Sequence, residues 1–251
     1  MIGDVTLAQY ALVAATALLA GIVGGVAGYG TGLLMPLVLV PIIGAQAVVP
    51  VISVSALLTN TSRLVAFWKH FDRRKAPIIA IAALPTTFLG AYGYTRLTGA
   101  GAAILIGSVL IALVILRRLL KGLQGRLKSD ASLAASGVGY GVVAGGTSGA
   151  GVILLSILMW AGLEGAAVVA TDAGISLLVG VVKAATFQSF GALPLSSWII
   201  ALLIGTSAAP GAFIARRLTE RLTLQQHTAI LDAVVVLGGL VLVAQGVSGR
   251  A

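Results

Sequence analysis

Asp172 is the acidic residue set deepest in apolar sequence, about seven residues into the run Ala166–Phe190, with Thr171 beside it. An ionisable group inside a membrane-length apolar run is costly and defaults to a functional reading. A carboxyl at that depth can carry a coupling proton; its structural alternative is an ion pair or contact with entering water. Two cations occupy comparable depths. Arg63 lies in Ala45–Trp68 and Lys183 in Ala166–Phe190, each about six residues from the end of its run, with Asn60 and Gln188 as neutral donors on the same two segments. Snorkelling to the headgroups explains either cation singly. Taken together, the pair would contact an anion from two sides.

The elements that must hold these groups are membrane helices. With 59% hydrophobic and 9% charged residues, the chain has too little polar surface for a water-soluble fold. Cysteine is absent, which removes disulfides, thiolate metal sites and thiol catalysis. No metal-ligand cluster, Walker loop or nucleotide fingerprint is present, so no metal, cofactor or ATP hydrolysis is expected. The formal charge of +9 resides in short gaps between apolar runs, as the positive-inside rule requires, and not in a nucleic-acid-binding patch. The first run has Asp4 in front of it and no basic flank, so it is expected to stay in the mature chain.

The apolar runs are Thr6–Ala27, Leu33–Ile43, Ala45–Trp68, Pro77–Thr95, Ala100–Leu116, Ser132–Ala144, Val152–Gly162, Ala166–Phe190, Ser196–Ala215 and Thr228–Gln245. A crossing needs about 20 residues, and the second and seventh runs fall short of it. The list reads as one five-segment unit written twice. Gly24, Gly25, Gly28 and Gly30 recur 121 positions later as Gly145, Gly146, Gly149 and Gly151. Arg63 and Phe67 recur 120 positions later as Lys183 and Phe187, and Gly90, Arg96 and Leu97 recur as Gly211, Arg217 and Leu218 at 121. The expected organisation is a first repeat over 1–120, a basic linker over 121–131 and a second repeat over 132–251.

Parity gives the orientation. If the basic gaps 69–75, 117–128 and 216–221 all face the cytoplasm, each repeat has an odd number of crossings and the copies are inverted. The fold class expected is therefore an all-α polytopic membrane protein of two inverted repeats, with glycine-broken short or re-entrant helices near the centre. Non-helical backbone at membrane depth is tolerated only where protein buries it or it lines a polar cavity. Gly28, Gly30, Ser148, Gly149 and Gly151 are thus candidate contacts for a ligand, alongside Asn60, Arg63, Thr171, Lys183 and Gln188, and Asp172 is the candidate proton carrier. A helix starting after such a break presents unpaired amides and a positive dipole end, which suits an anion.

This arrangement points to a secondary transporter, not an enzyme, with an anion channel as the alternative. A third class arises from Gly146-Thr147-Ser148-Gly149, which fits the Gly-x-Ser-Gly pattern of rhomboid intramembrane serine proteases. Its repeat partner Gly25-Val26-Ala27-Gly28 keeps the glycines and replaces serine with alanine, so the duplication preserves backbone and not a nucleophile.

The cluster Gly24 to Gly32 followed by Pro36, its echo Gly145 to Gly151, the basic linker and the stretch Gly211 to Leu218 together resemble the sulfite exporter TauE/SafE family, from about Leu7 to Gly246. The resemblance implies a permease for sulfite, sulfonates or related organosulfur acids in a bacterial-type inner membrane. Its expected partners are a small anionic substrate and membrane lipid, with a homodimer left open.

Overall fold

The computed structural model describes residues 5–27, 30–119, 127, 129–218, 236, 239–240 and 242–248. Gly28, most of the linker 121–131 and most of the tenth apolar run lie outside these described residues, as do 219–221 of the third basic loop. Nine α-helices are described: α1 Leu7–Ala27, α2 Thr31–Ile43, α3 Ala45–Phe67, α4 Lys75–Thr95, α5 Gly99–Leu119, α6 Asp130–Gly146, α7 Gly151–Trp160, α8 Gly165–Ser189 and α9 Leu195–Leu218. No strand occurs among the described residues. In lipid every backbone amide must find its partner inside its own segment, and the helix does this regardless of side-chain pattern.

Five stretches are long and apolar enough to cross a membrane: Leu7–Gly25, Ala45–His70, Lys75–Thr95, Gly165–Ser189 and Leu195–Arg217. This is a multi-pass α-helical membrane protein. The helices α2 and α7, with 13 and 10 residues, rise only about 20 and 15 Å. Neither spans a hydrocarbon core of about 30 Å. Protein encloses them instead: Met35 and Leu39 of α2 and Leu154 and Leu158 of α7 are fully buried.

Several ends extend past the apolar runs. The sixth helix begins at Asp130, not Ser132, because the Ser129 side chain accepts a hydrogen bond from the Ser132 amide at 3.2 Å and caps it. The second begins at Thr31, two residues before the apolar run, so Gly32 lies within its first turn.

The glycine clusters divide their work. Gly24, Gly25, Gly145 and Gly146 stay helical, and among the described residues of the two clusters the chain departs from helix at Gly30 and over 147–150. Helical glycines here serve close packing. A Cβ on Gly90 would meet the Val142 carbonyl of α6, and one on Gly211 would meet the Gly21 backbone of α1. At a spacing of 121, Gly90 corresponds to Gly211 and Gly21 to Val142. The two contacts are therefore one contact made twice, with the halves exchanged: α4 packs along α6, and α9 along α1.

The halves also meet at α3 and α8, which are equivalent helices. Ser53 and Leu57 lie at Gly180, Arg63 at Asp172 and Asp72 at Thr171. Rising numbers on one helix run against falling numbers on the other. Equivalent helices that cross antiparallel belong to copies running in opposite directions, as inverted repeats do.

Candidate functional site

Between the two halves lies a cavity of about 120 Å³. Its walls come from both breaks and from the α3–α8 contact. Gly30, Thr31 and Gly32 line it at the start of α2, and Ser148, Gly149, Ala150 and Gly151 at the start of α7. The breaks touch, with Gly32 against the Gly149 backbone. Gly149 has φ +82, a conformation that side-chain-bearing residues rarely adopt, and this turns the chain from the extended Thr147 into α7. The first amides of an α-helix have no acceptor within it, so two sets of donors converge on one small space. Pockets for drug-sized ligands usually measure about 300–1,000 Å³. A small ion with some water fits the volume far better.

Down α8 the cavity-facing residues are Asp172, Ser176, Val179, Gly180 and Lys183, which follow the helical repeat from one charged residue to the other. Across from them α3 contributes Ser53, Ala56, Asn60 and Arg63. Arg63 Nη2 donates to Asp172 Oδ2 at 2.6 Å, and its Nη1 donates to Asn60 Oδ1 at 3.2 Å. Asp172 is 1% exposed and Arg63 8%. A pair so buried offsets its own desolvation at best, but losing either member alone strands a charge, at a cost of about 3–5 kcal/mol. Lys183, also 8% exposed, has a different partner: its Nζ donates to the Thr147 carbonyl at 2.8 Å, where α6 ends.

The buried Ser148 Oγ and Arg63 Nε have no hydrogen-bond partner among the described residues. Buried polar atoms seldom remain so, and both belong to residues lining the cavity, where a ligand or water would satisfy them. No histidine, which a serine nucleophile would need, lines the cavity among the described residues: His70 sits exposed in the turn after α3, and His227 is outside the described residues.

The cavity thus brings together Gly30, Asn60, Arg63, Ser148, Gly149, Gly151, Asp172 and Lys183. Two sequence candidates lie elsewhere. Thr171 points toward the α3–α4 loop, where its Oγ1 accepts the Asp72 amide at 3.1 Å. Gln188 is exposed, and its Oε1 accepts from Trp198 Nε1 at 3.1 Å. Tyr140 and Ser176, whose hydroxyls are 3.5 Å apart, line the cavity without having been singled out in the sequence. Counting four residues on from Asp172 along the helical repeat would have found Ser176.

The loop that Thr171 holds is itself well built. The Phe71 ring covers Gly174 of α8 and stacks on Trp68 at 5.6 Å. Partial burial pushes the Asp72 carboxyl up, but the Lys75 and Arg74 amides and the Lys75 ammonium outweigh it and hold the group below the usual carboxylate range.

The description sulfite exporter TauE/SafE matches the chain over residues 13–242, nearly its whole length. The chain belongs to this family. Members of the TauE/SafE family are transporters and not enzymes, so this protein is a membrane transporter for sulfur anions. No curated protein and no solved structure matches it. For a TauE/SafE protein, a cavity formed by helix starts and a buried lysine has the right sign of charge for the cargo.

Proposed function

We propose that this protein is a secondary transporter that carries sulfite or a small organosulfonate across the inner membrane, with the basic loops 69–75, 117–128 and 216–221 in the cytoplasm. The observation that carries the reading is the meeting of two helix starts and Lys183 in one buried cavity between the halves. The anion's oxygens take donors from Lys183, the Ser148 hydroxyl and the amides at Gly30–Gly32 and Ala150–Gly151. Inverted repeats supply the alternation of access, each half in turn adopting the arrangement of the other.

Coupling to protons runs through Asp172. The carboxyl takes up and releases the coupling proton in the anion-free steps of the cycle, and is ionised and paired with Arg63 when the anion is bound. Energy then comes from the proton gradient.

Proteoliposomes loaded with the purified protein test this with labelled sulfite and labelled methanesulfonate, with and without a pH gradient. Saturable uptake is expected, stimulated by the gradient in the wild type and indifferent to it in Asp172→Asn. Absence of flux for both anions overturns the reading. A non-saturating flux would make the protein a channel.

A further inference from the structure

Three formally charged side chains line the central cavity among the described residues: Arg63, Asp172 and Lys183. Arg63 and Asp172 cancel in a pair of 2.6 Å. The unpaired amides at the two helix starts favour an anion but add no formal charge. Lys183 Nζ rests on the carbonyl of Thr147, at the negative end of α6. What remains is a single positive charge.

The duplication shows that this balance is specific to one half. Lys183 corresponds to Arg63 at a spacing of 120, and at the same spacing Asp172 corresponds to Ile52. Ile52 lines the cavity too. Had both copies kept an aliphatic residue there, two uncancelled cations would face the space. The second copy departs from the first at the position that removes one of them.

We infer that the cavity is built for a monoanion and that Asp172 is the residue setting this valence, an inference that rests on the anion-transport reading above. A dianion of similar size would bring one negative charge with no countercharge into a buried cavity whose other polar side chains, among them Asn60, Tyr140, Ser148 and Ser176, are neutral, and buried charge without a countercharge is disfavoured. Neutralising position 172 leaves Arg63 and Lys183 both positive, and the preference should move toward a dianion. In the anion-bound protein the carboxylate therefore forms part of the ligand's electrostatic environment through Arg63.

Methanesulfonate and sulfate make the test, since both are compact tetrahedral oxyanions differing by one charge. Uptake into proteoliposomes and thermal stabilisation of the purified protein are measured for each. The wild type should favour methanesulfonate by at least ~10-fold in both assays. Asp172→Asn keeps the shape and an acceptor for Arg63 and should shift the ratio at least ~10-fold toward sulfate, whereas Asp172→Glu should keep the wild-type ratio. Equal handling of the two anions by the wild type, or an unchanged ratio in folded Asp172→Asn, overturns the inference. If Asp172→Asn does not fold, Lys183→Met decides: its cavity carries no net charge, and methanesulfonate stabilisation as strong as in the wild type overturns the inference. Lack of wild-type uptake for both anions strikes the transport reading instead, and the stabilisation ratio still decides valence.

Discussion

Arg63 and Lys183 stand at equivalent positions of the two copies, yet their surroundings have diverged. Arg63 faces an acid and an amide, so its charge is spent inside the protein. Lys183 leans on one backbone carbonyl at the second break, and the acid's counterpart in the first copy is Ile52. The backbone has been treated in the opposite way. Gly90 against α6 and Gly211 against α1 repeat one contact, and each half inserts a short helix between its break and a long helix. Duplication followed by drift has thus kept the frame that both halves must share and has let the charges specialise. A cavity between inverted copies can be symmetric in shape while its chemistry belongs mostly to one of them.

The sharpest way to break this comparison is to remove each cation in turn. Arg63→Met strands the buried Asp172 carboxylate and should cost about 3–5 kcal/mol of stability. Lys183→Met strands no charge, only the Thr147 carbonyl, and should cost about 1 kcal/mol while abolishing anion uptake. Thermal unfolding in detergent checks both, and equal losses would mean that the two cations are equivalent after all. A smaller effect tests the shared frame. Gly90→Val and Gly211→Val each force a side chain into opposing backbone and should destabilise by about 1–3 kcal/mol, by similar amounts because the contact is the same.

The smallest effect sharpens the difference between the ends of α3 and α8. Asp72 accepts the amides of Arg74 and Lys75 at 2.9 Å each, in the manner of a helix cap worth about 1 kcal/mol. The half-buried pair with Lys75, at 3.4 Å, still reaches water and adds little. Because the folded carboxyl is held below its usual value, its stabilisation is present above the unfolded pKa of about 3.9 and is lost as pH falls through the folded one. The melting-temperature deficit of Asp72→Asn should therefore be full at neutral pH and close in acid. A deficit that stays constant would assign the loss to packing.

The helices and the duplication were legible in the sequence because run length and glycine spacing are local properties, and lipid imposes them strongly. The meeting of the two breaks was legible from the repeat. The Arg63–Asp172 pair was not, since its members are 109 residues apart and their contact depends on how α3 crosses α8. Helical phase explains the two misplaced candidates. Gln188 is five residues past Lys183 and so about 140° round the helix, and Thr171 is about 100° from Asp172, which turns each away from the cavity face. Comparing each charged position with its partner in the other copy would have exposed Ile52 opposite Asp172 from sequence alone.

The exchange of helices between halves, α1 lying along α9 and α6 along α4, has a consequence for how the molecule is made. The ribosome delivers α1 to the bilayer long before α9 exists, so the face bearing Gly21 and Gly25 first meets lipid tails and must later give them up. Assembly closes upon α1 late, after α2 to α8 have been inserted. Cut at the linker, neither fragment would hold a complete packing surface of its own, and each would be the other's only template.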